Sequence, residues 1–184
     1  MDNTEEKHSI PQTKNKITKT FEKILRGEES NQQQFTTLIL SHIRTLPLDL
    51  RHQMVDRSLV KQLCKNFLKY KDAMFQQKSD DLITVTNFLW LLQTYGCEIE
   101  DSPYILEEIT DYVEVDDKLI NHKSSYFFYC RLLTTGVHIF SCYPSESQHI
   151  LGKVFELCKG QNNPELDEKV VVYSKLLQCD SFYK

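Results

Sequence analysis

His138 and Cys142 are two residues of types that can ligate a metal ion. They lie four residues apart in the stretch LLTTGVHIFSCYPSESQHIL, Leu132 to Leu151, so a helix would place both side chains on one face. An imidazole nitrogen and a thiolate sulfur are both zinc ligands, but zinc sites use three or four protein ligands. Because cysteines are so often buried, we interpret the pair as core or interface packing and predict no metal site.

Charge is segregated along the chain. Four basic residues recur at every fourth position: Arg57, Lys61, Lys65 and Lys69. On a continuous helix they would form a basic stripe, with Leu59, Leu63 and Phe67 facing elsewhere. The segment from Glu98 to Asp117 instead holds nine acidic residues and no basic one. Such runs are usually solvated helix faces; the alternative is that the basic stripe contacts anionic lipid headgroups or an acidic partner.

Enzymatic motifs are missing from the sequence. It contains no Gly-rich phosphate loop, no nucleophile elbow and no HExxH pair. The aromatic cluster SSYFFYC, Ser124 to Cys130, is typical of a core rather than of a platform for stacking bases, and the net charge of −4 disfavours nucleic acid. We therefore predict no catalytic residues, no cofactor, no small-molecule substrate and no nucleic-acid partner.

The cysteines bear on the cellular compartment. There are six, without a close-spaced pair: Cys64, Cys97, Cys130, Cys142, Cys158 and Cys179. This scatter argues against a disulfide framework and against a zinc ribbon, and it predicts reduced thiols that mostly fill core positions. No apolar run approaches the roughly 20 residues that span a bilayer, and the first 30 residues are too polar for a secretory signal. A cytoplasmic location is expected.

The segments that contain these residues are predicted to be helices. Only five glycines and five prolines punctuate 184 residues, and no long apolar-polar alternation supports strands, so the predicted fold class is all-α. Residues 1–15 lack the apolar side chains that would offset their ordering entropy and are predicted to be a mobile tail. The first predicted helices are Lys16 to Arg26, Gln32 to Leu46, two pieces between Asp49 and Tyr70, and one from Asp80 to a stop at Gly96.

Helix starts recur at a regular interval. The candidate caps or first-turn residues are Asp80, Ser102, Ser124, Ser145 and Asn163. The interval of about 20 residues gives two-helix units of about 40, the period of HEAT and armadillo-like solenoids. We predict one α-solenoid of antiparallel helix pairs over residues 16–184. Within it, Pro144 would end one helix, Ser145 would cap the next and Gln148 would complete a capping box.

The stretch from Leu132 to Leu151 also resembles a segment of β-adaptin trunks, in which a Leu-Leu-Thr helix precedes a phenylalanine and then Pro-x-Glu-Thr-Gln. The matching positions are Leu132, Leu133, Thr134, Phe140, Pro144, Glu146, Ser147 and Gln148. Upstream, Trp90 to Leu92, Tyr95-Gly96 and Asp101 to Leu106 resemble the family's tryptophan-bearing helix, its Gly-Glu turn and its Ala-Pro-Tyr-Val-Leu-like segment.

A third match lies near the end of the chain. NPELDEKVVVYSKLLQCD resembles the family's helix that begins Arg-Asp-Arg, contains a tyrosine and ends with a basic residue followed by two leucines. Asp167 stands where that family has an arginine. The resemblance covers about Leu38 to Asp180 in order and spacing. Its Pro-Tyr-Ile-Leu and Gln-His-Ile-Leu-Gly segments are nearest the β chain of the fourth adaptor-protein complex.

The resemblance implies a non-catalytic α-solenoid of a vesicle-coat adaptor complex, acting in protein transport at Golgi, endosomal or coated-vesicle membranes. Its implied partners are the adaptor medium chain, whose small amino-terminal domain the β trunk cradles, and other adaptor chains. The chain lacks most of the family's amino-terminal trunk, hinge and appendage, which puts the functions of those parts in doubt. The alternative is an unrelated helical-repeat module of a signalling or transcription assembly.

A segment near the end of the chain resembles a motif for binding clathrin, the coat protein of some adaptor complexes. Leu176-Leu177-Gln178-Cys179-Asp180 comes close to a leucine-rich clathrin-binding box, but a cysteine replaces the larger apolar residue. Such boxes need an extended, accessible segment. We interpret the two leucines as part of the buried stripe of the last helix.

Overall fold

A computed structural model describes residues 29–49, 51, 55–75, 81–115 and 125–178. All regular structure in these ranges is helical, which confirms the all-α fold class. The predicted tail at 1–15, the predicted helix Lys16 to Arg26 and the candidate caps Asp80 and Ser124 lie outside the described residues. Among the described helices, each is too short or too polar to traverse a lipid bilayer.

The helices are numbered in chain order, and a 3-10 turn, Gly96–Glu98, follows the third of them. They are α1 (Glu29–Thr45), α2 (Arg57–Phe75), α3 (Asp81–Tyr95), α4 (Ser102–Val115), α5 (Ser125–Cys142), α6 (Pro144–Lys159) and α7 (Pro164–Gln178). The predicted helices from Gln32 and from Asp80 agree with α1 and α3 to within a few residues. The two predicted pieces between Asp49 and Tyr70 correspond to helical backbone at residues 48, 49 and 51, and to α2, which begins at Arg57 and continues past Tyr70 to Phe75.

The chain divides into two compact units, one ending at Asn87 and one beginning at Phe88. In the first unit α1 packs against α2, and its core includes the fully buried Leu40, Leu63 and Phe67. A buried polar pair lies inside this contact: the Asn66 amide donates to the Thr36 hydroxyl at 3.2 Å. Gln62, one turn earlier on α2, donates its side-chain amide to Asn66 Oδ1 at 3.0 Å.

The second unit is built around α5 and α6, which form a helical hairpin. A Cβ added at Gly136 would lie 3.4 Å from the side chains of Leu151 and Val154, so α5 and α6 approach closely there. Gly136 and Leu151 are nearly equidistant in sequence from Tyr143, the residue between the helices, as in an antiparallel pair. Contacts in this unit also join next-but-one neighbours: α4 packs on α6, and α5 packs on α7. The core includes Leu132, Leu133, Ile139, Val154, Leu166 and Val170.

Helix starts agree with the predicted positions, with one correction. Asn163 caps α7, since its side-chain oxygen accepts from the backbone N–H groups of Glu165 and Leu166 at 3.1 and 3.2 Å. The prediction that Ser145 caps α6 is wrong. The helix begins at Pro144, and Tyr143 holds the cap position without a side-chain bond. Proline suits the first helical position because it lacks the N–H that would otherwise go unpaired there.

Candidate functional site

The predicted basic stripe lies on a single face of α2. Its four members, Arg57, Lys61, Lys65 and Lys69, are all exposed, whereas Leu59, Leu63 and Phe67 are fully buried. The helix is continuous from Arg57 to Phe75, so the condition on which this alignment depended is met. Asp56 caps its start by accepting from the Leu59 N–H at 2.9 Å. Binding of an anionic partner by the stripe stays a prediction.

A second group of candidate functional side chains lies where the 3-10 turn meets α5. His138 and Cys142 lie one turn apart on α5, as their spacing predicted. The structure adds Cys97 from the 3-10 turn, with its sulfur 3.4 Å from His138 Nε2. The ligand atoms of the three residues all lie within 4.8 Å of one another. We name these residues the Cys-His cluster.

Local packing brings the 3-10 turn onto α5. Gly96, just before Cys97, is buried so closely against Ile139 that a Cβ there would overlap the Ile139 side chain. Tyr143, just after α5, donates its hydroxyl to the Cys97 carbonyl oxygen at 3.1 Å. On the other side, the Ser102 hydroxyl donates to the Gly96 carbonyl oxygen at 2.9 Å. Cys97 is thus held from both of its flanks.

Cys97 and Cys142 form a disulfide bond, with their Cα atoms 5.3 Å apart. The expectation of six reduced thiols is therefore wrong for this pair. Neither cysteine is fully buried, since Cys97 is exposed and Cys142 is half-buried. The two cysteines are 45 residues apart in sequence, so no local spacing reveals them; the packing of the turn on α5 makes the pair. The one signal in the sequence is a glycine beside Cys97, which permits close approach.

The other described cysteines are not in disulfide bonds. Cys64 and Cys158 are buried, as predicted, and Cys130 is half-buried; Cys179 lies outside the described residues. Burial raises the pKa of the Cys158 thiol from 9.0 to about 12, because a thiolate loses its hydration there. Burial likewise raises the pKa of Tyr129 to about 12. These two groups stay neutral at ordinary pH and serve packing.

The aromatic cluster and the leucine near-motif were only partly predicted. Phe128 and Tyr129 are buried, but Phe127 is 76% exposed. Leu176 is 40% exposed, so its assignment to a buried stripe is wrong, although Leu177 is half-buried. Both leucines lie within α7, and a helix does not offer the extended segment that a clathrin-binding box requires.

Comparison of the chain with protein families, curated proteins and solved structures finds no match. The Cys-His cluster can exchange between thiols and a disulfide or ligate a soft metal ion. The stripe on α2 can attract anions, and the helical faces can bind other proteins.

Proposed function

We propose that the chain is a non-catalytic helical scaffold of a vesicle-coat adaptor complex and works through protein–protein contacts. The observation that carries the proposal is the ordered series of β-adaptin-like segments from Leu38 to Asp180. Two of those segments, Leu132 to Leu151 and Asn163 to Asp180, contain the turns before α6 and α7, where the chain has Pro144 and Asn163.

The helix contacts of the second unit support a solenoid. In a stack of helix pairs, each helix touches its partner in the hairpin and the equivalent helix of the next pair. The contacts of α5 with α6, of α4 with α6, and of α5 with α7 follow this pattern. Two side-chain contacts join α4 and α6: His149 to Glu107 at 3.0 Å and Lys153 to Asp111 at 2.8 Å. They also engage part of the predicted acidic face.

The outer side of α7 offers a surface for a partner. Val172 and Leu176, four residues apart, are 49% and 40% exposed, and Val171 beside them is 47% exposed. An open groove of 530 Å³ runs between this helix and α5, with Cys130 and Tyr173 among its lining residues. Apolar side chains on a charged helix favour contact with another protein. The medium chain of an adaptor complex is the proposed occupant.

Affinity isolation with mass spectrometry tests the proposal directly. The tagged chain, expressed in cells, should recover adaptor medium and small chains. Their absence under conditions that retain other proteins would contradict the adaptor role and would favour a helical-repeat module of a signalling or transcription assembly.

Paired variants locate the contact. Val172→Asp combined with Leu176→Asp should abolish recovery of the medium chain, because charged side chains resist burial in an interface. Tyr104→Asp is the control, since Tyr104 is also an exposed apolar side chain, at 63%, but lies on α4. Equal recovery with both variants would exclude α7 as the contact surface.

A further inference from the structure

We propose that Cys97, His138 and Cys142, in their reduced form, bind a zinc ion. The inference is independent of the adaptor role, since it rests on the Cys-His cluster alone. Two thiolates and an imidazole are a donor set that zinc prefers among the divalent ions of biology.

The distances in the cluster suit tetrahedral coordination. Zinc bonds of about 2.3 Å to sulfur and about 2.0–2.1 Å to nitrogen place these two ligands about 3.6 Å apart. The Cys97 sulfur and His138 Nε2 are 3.4 Å apart. The two sulfurs would need to separate from bonding contact to about 3.8 Å. Rotation of the exposed Cys97 side chain supplies that movement without shifting the backbone, whose Cα atoms are 5.3 Å apart.

The surroundings hold the ligands in place before the metal arrives. His138 and Cys142 are fixed to one face of α5 by the helix itself. Cys97 is held by the Tyr143 hydrogen bond to its own carbonyl oxygen and by the close packing of Gly96 on Ile139. Preorganised ligands lose less conformational entropy on binding. The fourth position faces solvent and takes water, as in other zinc sites with three protein ligands.

The disulfide and the metal exclude each other because they use the same sulfurs. A thiol reductant opens the bond: two reductant thiols lose two electrons and two protons to become one disulfide, and Cys97 and Cys142 become thiols. Zinc then displaces the two thiol protons and binds the thiolates. Oxidised protein should bind no zinc at this site.

Cobalt is the spectroscopic probe for the site. The full chain is reduced with a phosphine, freed of reductant without air and titrated with Co²⁺. We expect a thiolate-to-cobalt charge-transfer band that saturates at one equivalent and is lost when Zn²⁺ is added. The band should vanish in Cys97→Ser and Cys142→Ser, and His138→Gln should shift the visible bands. Cys130→Ser, on the same helix, is the matched control and should retain the wild-type spectrum.

A second readout avoids variants that fail to fold. In the reduced wild-type chain, added Zn²⁺ should slow alkylation of Cys97 and Cys142 by iodoacetamide, measured by peptide mass spectrometry, while Cys130 reacts at an unchanged rate. Absence of a saturable cobalt band in the reduced wild type would overturn the proposal. Equal alkylation of Cys97 and Cys142 with and without zinc would overturn it as well.

Discussion

Cys97 and Cys158 show how position alone sets the chemistry of a thiol. Cys158 is fully buried, and its sulfur donates to the Tyr129 carbonyl oxygen at 3.7 Å. Cys97 is exposed beside the imidazole of His138 and is disulfide-bonded to Cys142. A buried thiol is held in its neutral, unreactive form, whereas an exposed thiol is open to oxidants, reductants and metals. In this chain Cys158 therefore serves packing, whereas Cys97 is available for chemistry.

The raised pKa of Cys158 predicts a loss of stability at alkaline pH. Its folded pKa of about 12 lies above the ordinary value of 9.0, so the unfolded chain loses this proton first as pH rises. Below pH 9 the contribution is fully present; above it the free energy of unfolding should fall by up to about 1.4 kcal/mol per pH unit. Urea unfolding between pH 8 and 10 measures it.

Cys158→Ala is the comparison for this measurement. It should be less stable than wild type at pH 8, because it leaves a cavity. Its stability should also fall less steeply above pH 9, because the titrating thiol is gone. Parallel pH profiles for the two proteins would contradict the assignment.

The 3-10 turn is the element on which the candidate site depends. Gly96 lets the turn approach α5, and no residue with a side chain would fit without moving Ile139, which is fully buried. Gly152 differs from Gly96 in having room for a side chain. It lies exposed in the middle of α6, with open space where a Cβ would be. The same substitution at the two glycines should therefore have opposite effects.

Gly96→Ala should destabilise the second unit by about 1–3 kcal/mol, the usual cost of forcing extra volume into a packed core. It should also reduce the fraction of chains with the Cys97–Cys142 disulfide, since the turn is pushed from α5. Gly152→Ala should stabilise by about 0.5–1 kcal/mol because alanine favours a helix interior. Urea unfolding and thiol counting measure both; destabilisation of equal size at the two sites would refute the packing argument.

At the scale of the whole molecule, helix identity could be predicted from sequence, but contacts between distant residues could not. Local signals placed α3, α6 and α7, because caps, proline and apolar periodicity act within a few residues. The start of α6 was misplaced by two residues, because a serine cap at Ser145 was preferred to a proline at the first helical position. Cys97 was missed because its approach to α5 depends on packing. The exposure of Leu176 was missed for the same reason, since periodicity does not reveal which face is covered.

The charge distribution gives a prediction at this scale too. Lys61→Glu with Lys65→Glu should weaken binding to vesicles containing anionic lipid by more than about tenfold, since each basic residue near such a surface contributes about 1 kcal/mol. Vesicle co-sedimentation at low and moderate salt measures the effect, which should shrink as salt rises.

The control for the basic stripe is the double change Lys159→Glu with Lys169→Glu. It alters net charge equally at two exposed lysines outside α2. If the control loses as much vesicle binding as the stripe variant, the binding depends on overall charge and not on the basic stripe. Unchanged binding by the stripe variant would remove the membrane role of α2.

The buried side-chain amide of Asn66 restricts the alignment in which α1 and α2 can pack. An apolar contact between two helices tolerates sliding by one turn, because leucine and isoleucine fit many neighbours. The hydrogen bond from Asn66 to Thr36 does not: a shifted pairing would strand the amide in the core at about 1–3 kcal/mol. This single polar pair therefore selects one alignment of the two helices from several of similar apolar area.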